Sequence, residues 1–84
     1  MKKVYVVNSL NTFDGTEMDN ISVRENFSDA RDDMKKDFAD MVNDIKEEHP
    51  DVKFEIKEFD RYCQIFDTYG GDYYEVSIIT RELA

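Results

Sequence analysis

The apolar residues between Ser28 and His49 recur every three or four positions along the chain. At 100° per residue, this spacing places them on one side of an α-helix. Ser28 is expected to be the N-cap, because its hydroxyl can accept a hydrogen bond from a free N–H of the first turn. Pro50 is expected to end the helix, since proline has no N–H and disfavours helical backbone before it. The pattern predicts a helix over 28–49, about 33 Å long, whose apolar side consists of Ala30, Met34, Phe38, Met41, Val42 and Ile45.

Apolar runs and period-two alternation on both sides of this helix predict β-strands. A dense β-branched and aromatic run at 4–7 is typical of a strand, and the alternation of Ile21 and Val23 predicts a second strand that returns antiparallel. The Asp14-Gly15 pair predicts the turn between them. After the helix, three further strands are predicted at 52–57, 62–67 and 73–80. A glycine-containing hairpin loop is predicted at 68–72, between the last two strands.

The element order ββαβββ predicts a single α+β domain over 1–84. An antiparallel sheet of four to five strands with one long helix packed on one face buries both apolar surfaces at once. The other face of the sheet is expected to be mixed and partly solvated. The predicted core consists of Val4, Val6, Ile21, Val23, Met34, Phe38, Met41, Ile45, Phe54, Ile56, Val76 and Ile78.

The charge balance narrows the choice of partners. The chain carries 20 acidic and 11 basic residues, a net charge of −9. A surface this negative excludes direct binding to nucleic-acid phosphates or anionic lipid, and favours cations or proteins with a basic groove. Cys63 is the single cysteine, which excludes an internal disulfide and indicates a reducing compartment. The first apolar run is too short for a signal peptide or a membrane span, so a cytoplasmic location is expected.

No motif in the chain identifies a reaction, a cofactor or a metal site. His49 and Cys63 are the only residues of their types, fewer than the three or four ligands that a zinc site requires. The loop around Gly15 fails the EF-hand pattern, because Leu10 and Thr12 occupy its first and third positions. The chain is therefore predicted not to be an enzyme. An enzyme of this size would require a concave pocket that contains a carboxyl group with a perturbed pKa.

Six other acidic residues of the predicted helix project within roughly 60° of Asp33, beside the apolar side. Arg31, Lys35, Lys36 and Lys46 are expected on the far flank. Six of the eight acids in 28–49 are Asp, a poorer helix former than Glu, and like charges one turn apart are unfavourable. This acidic strip is either an ordinary solvated face or a binding surface, and it consists of Asp29, Asp33, Asp37, Asp40, Asp44, Glu47 and Glu48.

The spacing of the acidic strip resembles that of nucleic-acid phosphates. Seven carboxylates along about 28 Å of helix compare with one phosphate per 3.4 Å of rise in a DNA strand. Aromatic residues gather around the last hairpin, at Tyr62, Phe66, Tyr69, Tyr73 and Tyr74. These residues either pack within the sheet or anchor a partner, and Tyr69 is the residue expected to be exposed.

The chain resembles the small, acidic, single-domain proteins that phages and other mobile elements encode. The resemblance rests on VYVVNS at 4–9, NFSDARDDMKKDFADMV at 26–42 and YYEVSII at 73–79, and it covers most of the chain. The class includes anti-CRISPR and anti-restriction proteins, some of which mimic DNA. The resemblance implies a hairpin, one helix and a meander, and it assigns no individual functional residue.

Two functional hypotheses remain open at this point. The first is a non-catalytic inhibitor, in which the acidic strip and Tyr69 bind the nucleic-acid groove of a host defence protein. The alternative is a structural or housekeeping interaction domain, such as a homodimer through a sheet edge, with the acidity serving only solubility.

Overall fold

One helix packs on one face of a five-stranded sheet in the computed structural model, which describes residues 2–13 and 15–83. The predicted single-domain α+β class and the element order ββαβββ are confirmed. Asp14 of the predicted first turn lies outside the described residues. The elements are β1 (Lys2–Asn11), β2 (Glu17–Arg24), α1 (Phe27–Glu48), β3 (Phe54–Glu58), β4 (Tyr62–Asp67) and β5 (Tyr73–Leu83).

The two strands at the centre of the sheet come from opposite ends of the chain. The strand order is β2-β1-β5-β4-β3, and every neighbouring pair is antiparallel. β1 and β5 pair from Lys2 opposite Leu83 to Asn11 opposite Tyr74. The sheet is therefore complete only once the last strand has joined the first. Strands β2 and β3 form the two edges.

Helix α1 has the predicted length of 22 residues and begins one residue earlier than expected. The prediction that Ser28 is the N-cap is wrong: Asn26 occupies that position, with extended backbone at φ −111° and ψ 134°. Its side chain makes no capping bond, and Asn26 Nδ2 donates instead to Asp29 Oδ2 at 3.5 Å. At the other end the helix stops before Pro50, as predicted, and the His49 N–H donates to the Ile45 carbonyl oxygen at 2.9 Å.

The core lies between α1 and the three central strands. Met34 projects from the middle of α1 and is fully buried. Burying a side chain of this size contributes roughly 1.5–3 kcal/mol, so these contacts hold the two layers together. The buried cluster consists of Val7, Ala30, Met34, Phe38, Ile45, Cys63, Ile65, Tyr74, Val76 and Ile78, with Ile21, Met41 and Phe54 packed against it.

The structure corrects the face that β1 presents to the helix. Val7 belongs to the buried cluster under α1 and Val6 does not, whereas Val4 is buried as predicted but lies outside that cluster. Successive side chains of a strand point to opposite faces, so Val6 points away from α1. Its cross-strand partner Val23 shares that face and is 55% exposed. Ile56 of the edge strand β3 is also more exposed than predicted, at 40%.

A shift in strand register explains why the alternation of β2 was misleading. The pairing of β1 with β2 slips between Val7 and Asn8, so that Val7 pairs with Ser22 while Asn8 pairs with Asn20. Ile21 is the extra residue of this bulge, and it packs against the core as predicted. Because a bulge breaks the period-two pattern, Ile21 and Val23 do not share one buried face.

The cross-strand pair of Ile65 and Ile56 tests where the core ends. Ile65 is fully buried and Ile56 is 40% exposed, although they lie directly opposite each other in β4 and β3. Ile65→Ala should lower the free energy of unfolding by about 3 kcal/mol, because it removes buried methyl groups and leaves a cavity. Ile56→Ala should lower it by less than about 1.5 kcal/mol. Urea unfolding of the two variants measures both values, and equal losses would contradict the burial described here.

Candidate protein-binding surface

The acidic strip faces the edge strand β2. The side chains of Ser22 and Arg24 in β2 both donate hydrogen bonds to Asp33 in the strip. On the opposite flank of α1, Lys35 Nζ donates to the Phe59 carbonyl oxygen at 3.2 Å, beside the β3–β4 turn. The helix therefore carries its acids along one edge of the sheet and two of its bases, Arg31 and Lys35, along the other.

Asp33 links α1 to β2. Its Oδ2 accepts bonds from Arg24 Nε at 2.7 Å and Ser22 Oγ at 2.7 Å, and its Oδ1 accepts a bond from Arg24 Nη2 at 3.2 Å. Two-point pairing of a guanidinium with a carboxylate is the strongest common form of ion pair. The Arg24 and Ser22 hydrogen bonds hold the pKa of Asp33 below its usual range. Asp33 is therefore part of the fold and is not a free surface charge.

Asp37, one turn further along the strip, is partly buried. Its Oδ2 accepts a hydrogen bond from the hydroxyl of Tyr74, a core residue of β5. Burial raises the pKa of the Asp37 carboxyl, the Tyr74 bond opposes that rise, and the negative charges of Asp40 and Asp19 add to it. The second acid of the strip is thus also engaged inside the molecule.

Five acids of the strip remain exposed. Asp40, Asp44, Glu47 and Glu48 form the C-terminal half of the strip, and no ion pair joins any of them to another residue of 2–13 or 15–83. Asp29 lies near the N-terminus of α1 and accepts only the long Asn26 bond. The structure therefore divides the predicted strip into two residues that hold the fold together and five that face solvent.

A shallow cleft runs between β2 and α1, with a volume of about 300 Å³. Its lining includes Asp33, Asp37 and Asp40 together with Arg24 and Lys36. The prediction that Lys36 lies on the far flank of the helix is wrong. It stands beside the acidic strip, where its positive charge helps to lower the pKa of Asp33. The acids that line this cleft thus share it with two bases, whereas Asp44, Glu47 and Glu48 lie outside it.

Strand β2 adds an acid that the helical pattern did not reveal. The charge of Asp19 lies close enough to Asp37 to raise the pKa of its carboxyl, so the acidic surface extends from the helix onto the sheet edge. Sequence reasoning missed this contribution because the pairing of Asp19 with the helix depends on the β1–β2 bulge. No local signal in 17–24 reports that register.

Tyr69 is the exposed aromatic residue that the sequence predicted. It lies in the β4–β5 turn with its side chain fully accessible, and the N–H groups of Tyr69 and Gly70 donate to Asp67 Oδ1 at 2.8 and 2.9 Å. Gly71 completes the turn with φ of +80°, a conformation that glycine adopts readily. In contrast, Tyr74 is in the core and the Tyr62 hydroxyl donates to Glu75 Oε2 at 2.6 Å. Both of these tyrosines belong to the packing of the sheet.

The structure places the single histidine and the single cysteine of the chain in different surroundings. His49 packs against Phe13, with 5.6 Å between ring centroids. Cys63 is buried in β4, beside Lys35 of α1. Burial raises the pKa of the Cys63 thiol, which disfavours the reactive thiolate. Asp37 does provide a carboxyl with a raised pKa at a cleft, but its Oδ2 already accepts the Tyr74 hydrogen bond.

Among residues 2–13 and 15–83, no group of three or more His, Cys, Asp and Glu side chains has the geometry to hold a metal ion. The described chain also has no helix that combines the length and apolar character required to cross a membrane.

Comparisons of this chain with protein families, with characterised proteins and with solved structures found no match.

Substitution by Asn should change the free energy of unfolding differently at Asp33 and at Asp37. Asp33→Asn should lower the free energy of unfolding by about 1 kcal/mol at neutral pH, because it removes the charge that Arg24 binds. Asp37→Asn should leave it unchanged or raise it, since the amide oxygen still accepts the Tyr74 bond while a partly buried charge is removed. Urea unfolding at neutral pH measures both, with the exposed Asp44→Asn as a reference close to wild type.

The pH dependence of the same variants provides the check. The pKa of Asp33 is lowered in the folded state, so its stabilising effect is present above its unfolded pKa and disappears as the pH falls through the folded value. The pKa of Asp37 is raised, so its ionised form destabilises the fold once the pH rises through the folded value. The difference between wild type and Asp33→Asn should therefore vanish in acid. A loss that persists in acid would show that the ion pair is not its cause.

Proposed function

We propose that this chain is a non-catalytic binding protein whose exposed acids occupy a basic groove on another protein. The observation that carries the proposal is the run of Asp40, Asp44, Glu47 and Glu48, all exposed and without an ion pair to a described residue. Asp44, Glu47 and Glu48 lie near the C-terminus of α1, where the helix dipole makes negative charge unfavourable. A basic partner would relieve that repulsion on binding.

The spacing of these four acids supports a groove that normally holds phosphates. Eight residues separate Asp40 from Glu48, or about 12 Å of helix, which gives one charge per roughly 4 Å. A DNA strand carries one phosphate per 3.4 Å of rise. The described chain is also elongated, with Cα extents of 48 × 21 × 16 Å, and carries a net charge of −9. Shape and charge together favour an acidic rod that imitates a nucleic-acid strand.

The proposed role is that of a phage or mobile-element inhibitor, acting in the cytoplasm on a host defence protein that binds nucleic acid. Asp33 and Asp37 hold α1 against the sheet in this proposal, and Asp29 and Tyr69 extend the contact. The competing proposal is an interaction domain that forms a homodimer through a sheet edge. Main-chain pairing of that kind survives high salt, whereas binding through exposed charges is screened above the Debye length.

The four exposed acids provide the direct test. The variant with Asp40→Asn, Asp44→Asn, Glu47→Gln and Glu48→Gln should lose partners that the wild type captures from a bacterial lysate at low salt. Those partners should be nucleic-acid-binding proteins. High salt should release them by screening the charges, and added duplex DNA should release them by competing with the acidic strip for the basic groove. Affinity capture followed by mass spectrometry identifies them.

A matched variant carries the same change of charge elsewhere on the surface. Glu58→Gln, Asp60→Asn, Asp72→Asn and Glu82→Gln remove four exposed acids away from the α1 strip. This variant should retain the partners. If both variants keep the same partners at both salt concentrations, the acidic strip is only a solvated face of the helix.

Tyr69 tests the extent of the contact. Tyr69→Ala should leave the urea midpoint unchanged, because the side chain is fully exposed, and should weaken binding to a captured partner about tenfold, as loss of an aromatic anchor does. Phe59→Ala is the control, since Phe59 is 58% exposed in the β3–β4 turn at the other end of the molecule. Titration calorimetry measures both variants. Equal affinities for wild type and Tyr69→Ala would remove Tyr69 from the interface.

A further inference from the structure

The face of the sheet that points away from α1, which we call the open face, carries several exposed apolar side chains. Register and alternation place Val6, Asn8 and Leu10 of β1 on this face. Met18 and Val23 of β2 flank them and are 79% and 55% exposed. Ile79 of β5 lies on the other side of Val6 and is 36% exposed. Helix α1 covers only the opposite face, which leaves Met18, Val23 and Ile79 exposed, whereas Val6, Asn8 and Leu10 between them are partly buried.

The open face is nearly neutral in a strongly acidic chain. The strand residues that point to it include the bases Lys2, Lys57 and Arg81 and the acids Glu55 and Glu75, although the chain as a whole carries 20 acidic residues. Two copies of this chain repel each other through most of their surface. The open face is the large surface where that repulsion is weakest, so the charge distribution favours a second copy as its occupant.

The size of the open face suits a stable dimer. The five strands contain 40 residues in total. With a rise of about 3.3 Å per residue and about 4.8 Å between strands, the backbone of the sheet covers on the order of 600 Å². The side chains that project from it add to this area. Standard interfaces bury about 800 Å² on each partner. Two open faces packed on one another approach that size without contributions from loops.

The side chains of the open face lie in three parallel rows across β2, β1 and β5. The middle row is polar and consists of Asn20, Asn8 and Ser77, in direct register. One neighbouring row contains Val23, Val6 and Ile79, and the other contains Met18, Leu10 and Glu75. Polar groups thus lie along a line, with apolar groups from β1 and β2 on both sides of it.

We infer that the open face is a homodimer interface, with a two-fold axis along the polar row. Such an axis places Val6 on the partner's Leu10 and Val23 on the partner's Met18, so that apolar side chains meet across the interface. The amide side chains of Asn8 and Asn20 then meet their own copies, and each can donate and accept hydrogen bonds. Two antiparallel sheets pack in this way about 10 Å apart.

The other residues of β5 on the open face, in the flanking rows and one row further out, are compatible with this arrangement. Arg81 comes opposite the partner's Tyr73, and a guanidinium packs well on an aromatic ring. The one unlike pair is Ile79 with the partner's Glu75. The Glu75 carboxylate is held by the Tyr62 hydroxyl of β4 at 2.6 Å, which keeps a hydrogen-bond partner for it within its own chain.

The inferred dimer does not depend on the proposed inhibitor function. The acidic strip lies on the helix side of the sheet and stays accessible in a dimer formed through the open face. Failure of the dimer therefore leaves the groove-binding proposal standing, and loss of groove binding leaves the dimer standing.

Sedimentation equilibrium of the intact chain from low micromolar to millimolar concentration tests the inference. The wild type should show a monomer–dimer equilibrium that persists in high salt, since the contact is mainly apolar. The double variant Met18→Lys and Val23→Lys should raise the dimer dissociation constant by at least about tenfold, because it places charges in the apolar rows. Both positions are exposed in the monomer, so far-UV circular dichroism should remain that of wild type.

A second pair of substitutions separates the position of the charges from their number. Phe59→Lys and Tyr69→Lys add the same two charges at exposed residues outside the open face, and should leave dimerisation unchanged. A wild type that stays monomeric at millimolar concentration overturns the inference. So does a control variant that weakens the dimer as much as the open-face variant.

Cross-linking distinguishes the open face from an edge-to-edge dimer. Asn8→Cys lies on the proposed axis, so a short bismaleimide should join two chains through it. Asp40→Cys, on the exposed side of α1, should not be joined, and wild type with its buried Cys63 should not react. A dimer that forms in solution but is not cross-linked through position 8 assigns the interface to a sheet edge and refutes the open-face arrangement.

Discussion

The burial of one side of α1 against the central strands is the interaction on which the rest of this structure depends. Met34, in the middle of the helix, is fully buried, as are Val7 and Val76 in the two strands beneath it. β1 and β5 lie at opposite ends of the chain, so the sheet beneath the helix is complete only when the last strand has paired with the first. One helix can cover only one face, so the same interaction that forms the core also leaves the other face of the sheet open.

The position of the apolar side of α1 also determines what its acids do. The acids lie beside the apolar side, so those in the first half of the helix meet the sheet, where Arg24 of β2 binds Asp33 and Tyr74 of β5 binds Asp37. Like charges one turn apart destabilise a helix by a few tenths of a kcal/mol per pair. The two internal contacts offset that repulsion for the first half of the strip. Asp44 and Glu48 in the second half have no such contact among the described residues, and this asymmetry is what makes the second half the candidate binding surface.

The sequence predicted the elements and the class well, because both follow from local periodicity. The helix was misplaced by one residue, since Asn26 and Ser28 are both residue types that favour an N-cap. The four consecutive apolar residues at 4–7 contain no alternation, so they do not reveal that Val7 faces the helix and Val6 does not. The bulge opposite Val7 and Asn8 then placed Val23 on the face away from the helix, although Ile21 packs against the core as expected. Strand order and register are properties of distant pairs, and no local pattern encodes them.

The candidate site divides in the same way. The helical pattern correctly placed Asp40, Asp44, Glu47 and Glu48 at exposed positions, because exposure follows from the angle to the apolar side. It did not separate them from Asp33 and Asp37, whose partners lie 9 and 37 residues away in the chain. It also gave no sign of Asp19, whose approach to Asp37 requires the observed pairing of β2 with β1.

The contact proposed for the open face is apolar and the contact proposed for the acidic strip is electrostatic, so one molecule can make both. In a dimer through the open face, two sheets about 10 Å apart lie between two helices that are each about 10 Å thick. The acidic strips of the two copies are then separated by roughly 30 Å, several times the Debye length of about 8 Å at physiological ionic strength. Their mutual repulsion is screened, so the acidic strips do little to oppose dimerisation at this face. The same screening weakens attraction between the strip and a basic groove, so dimerisation and groove binding respond differently to salt.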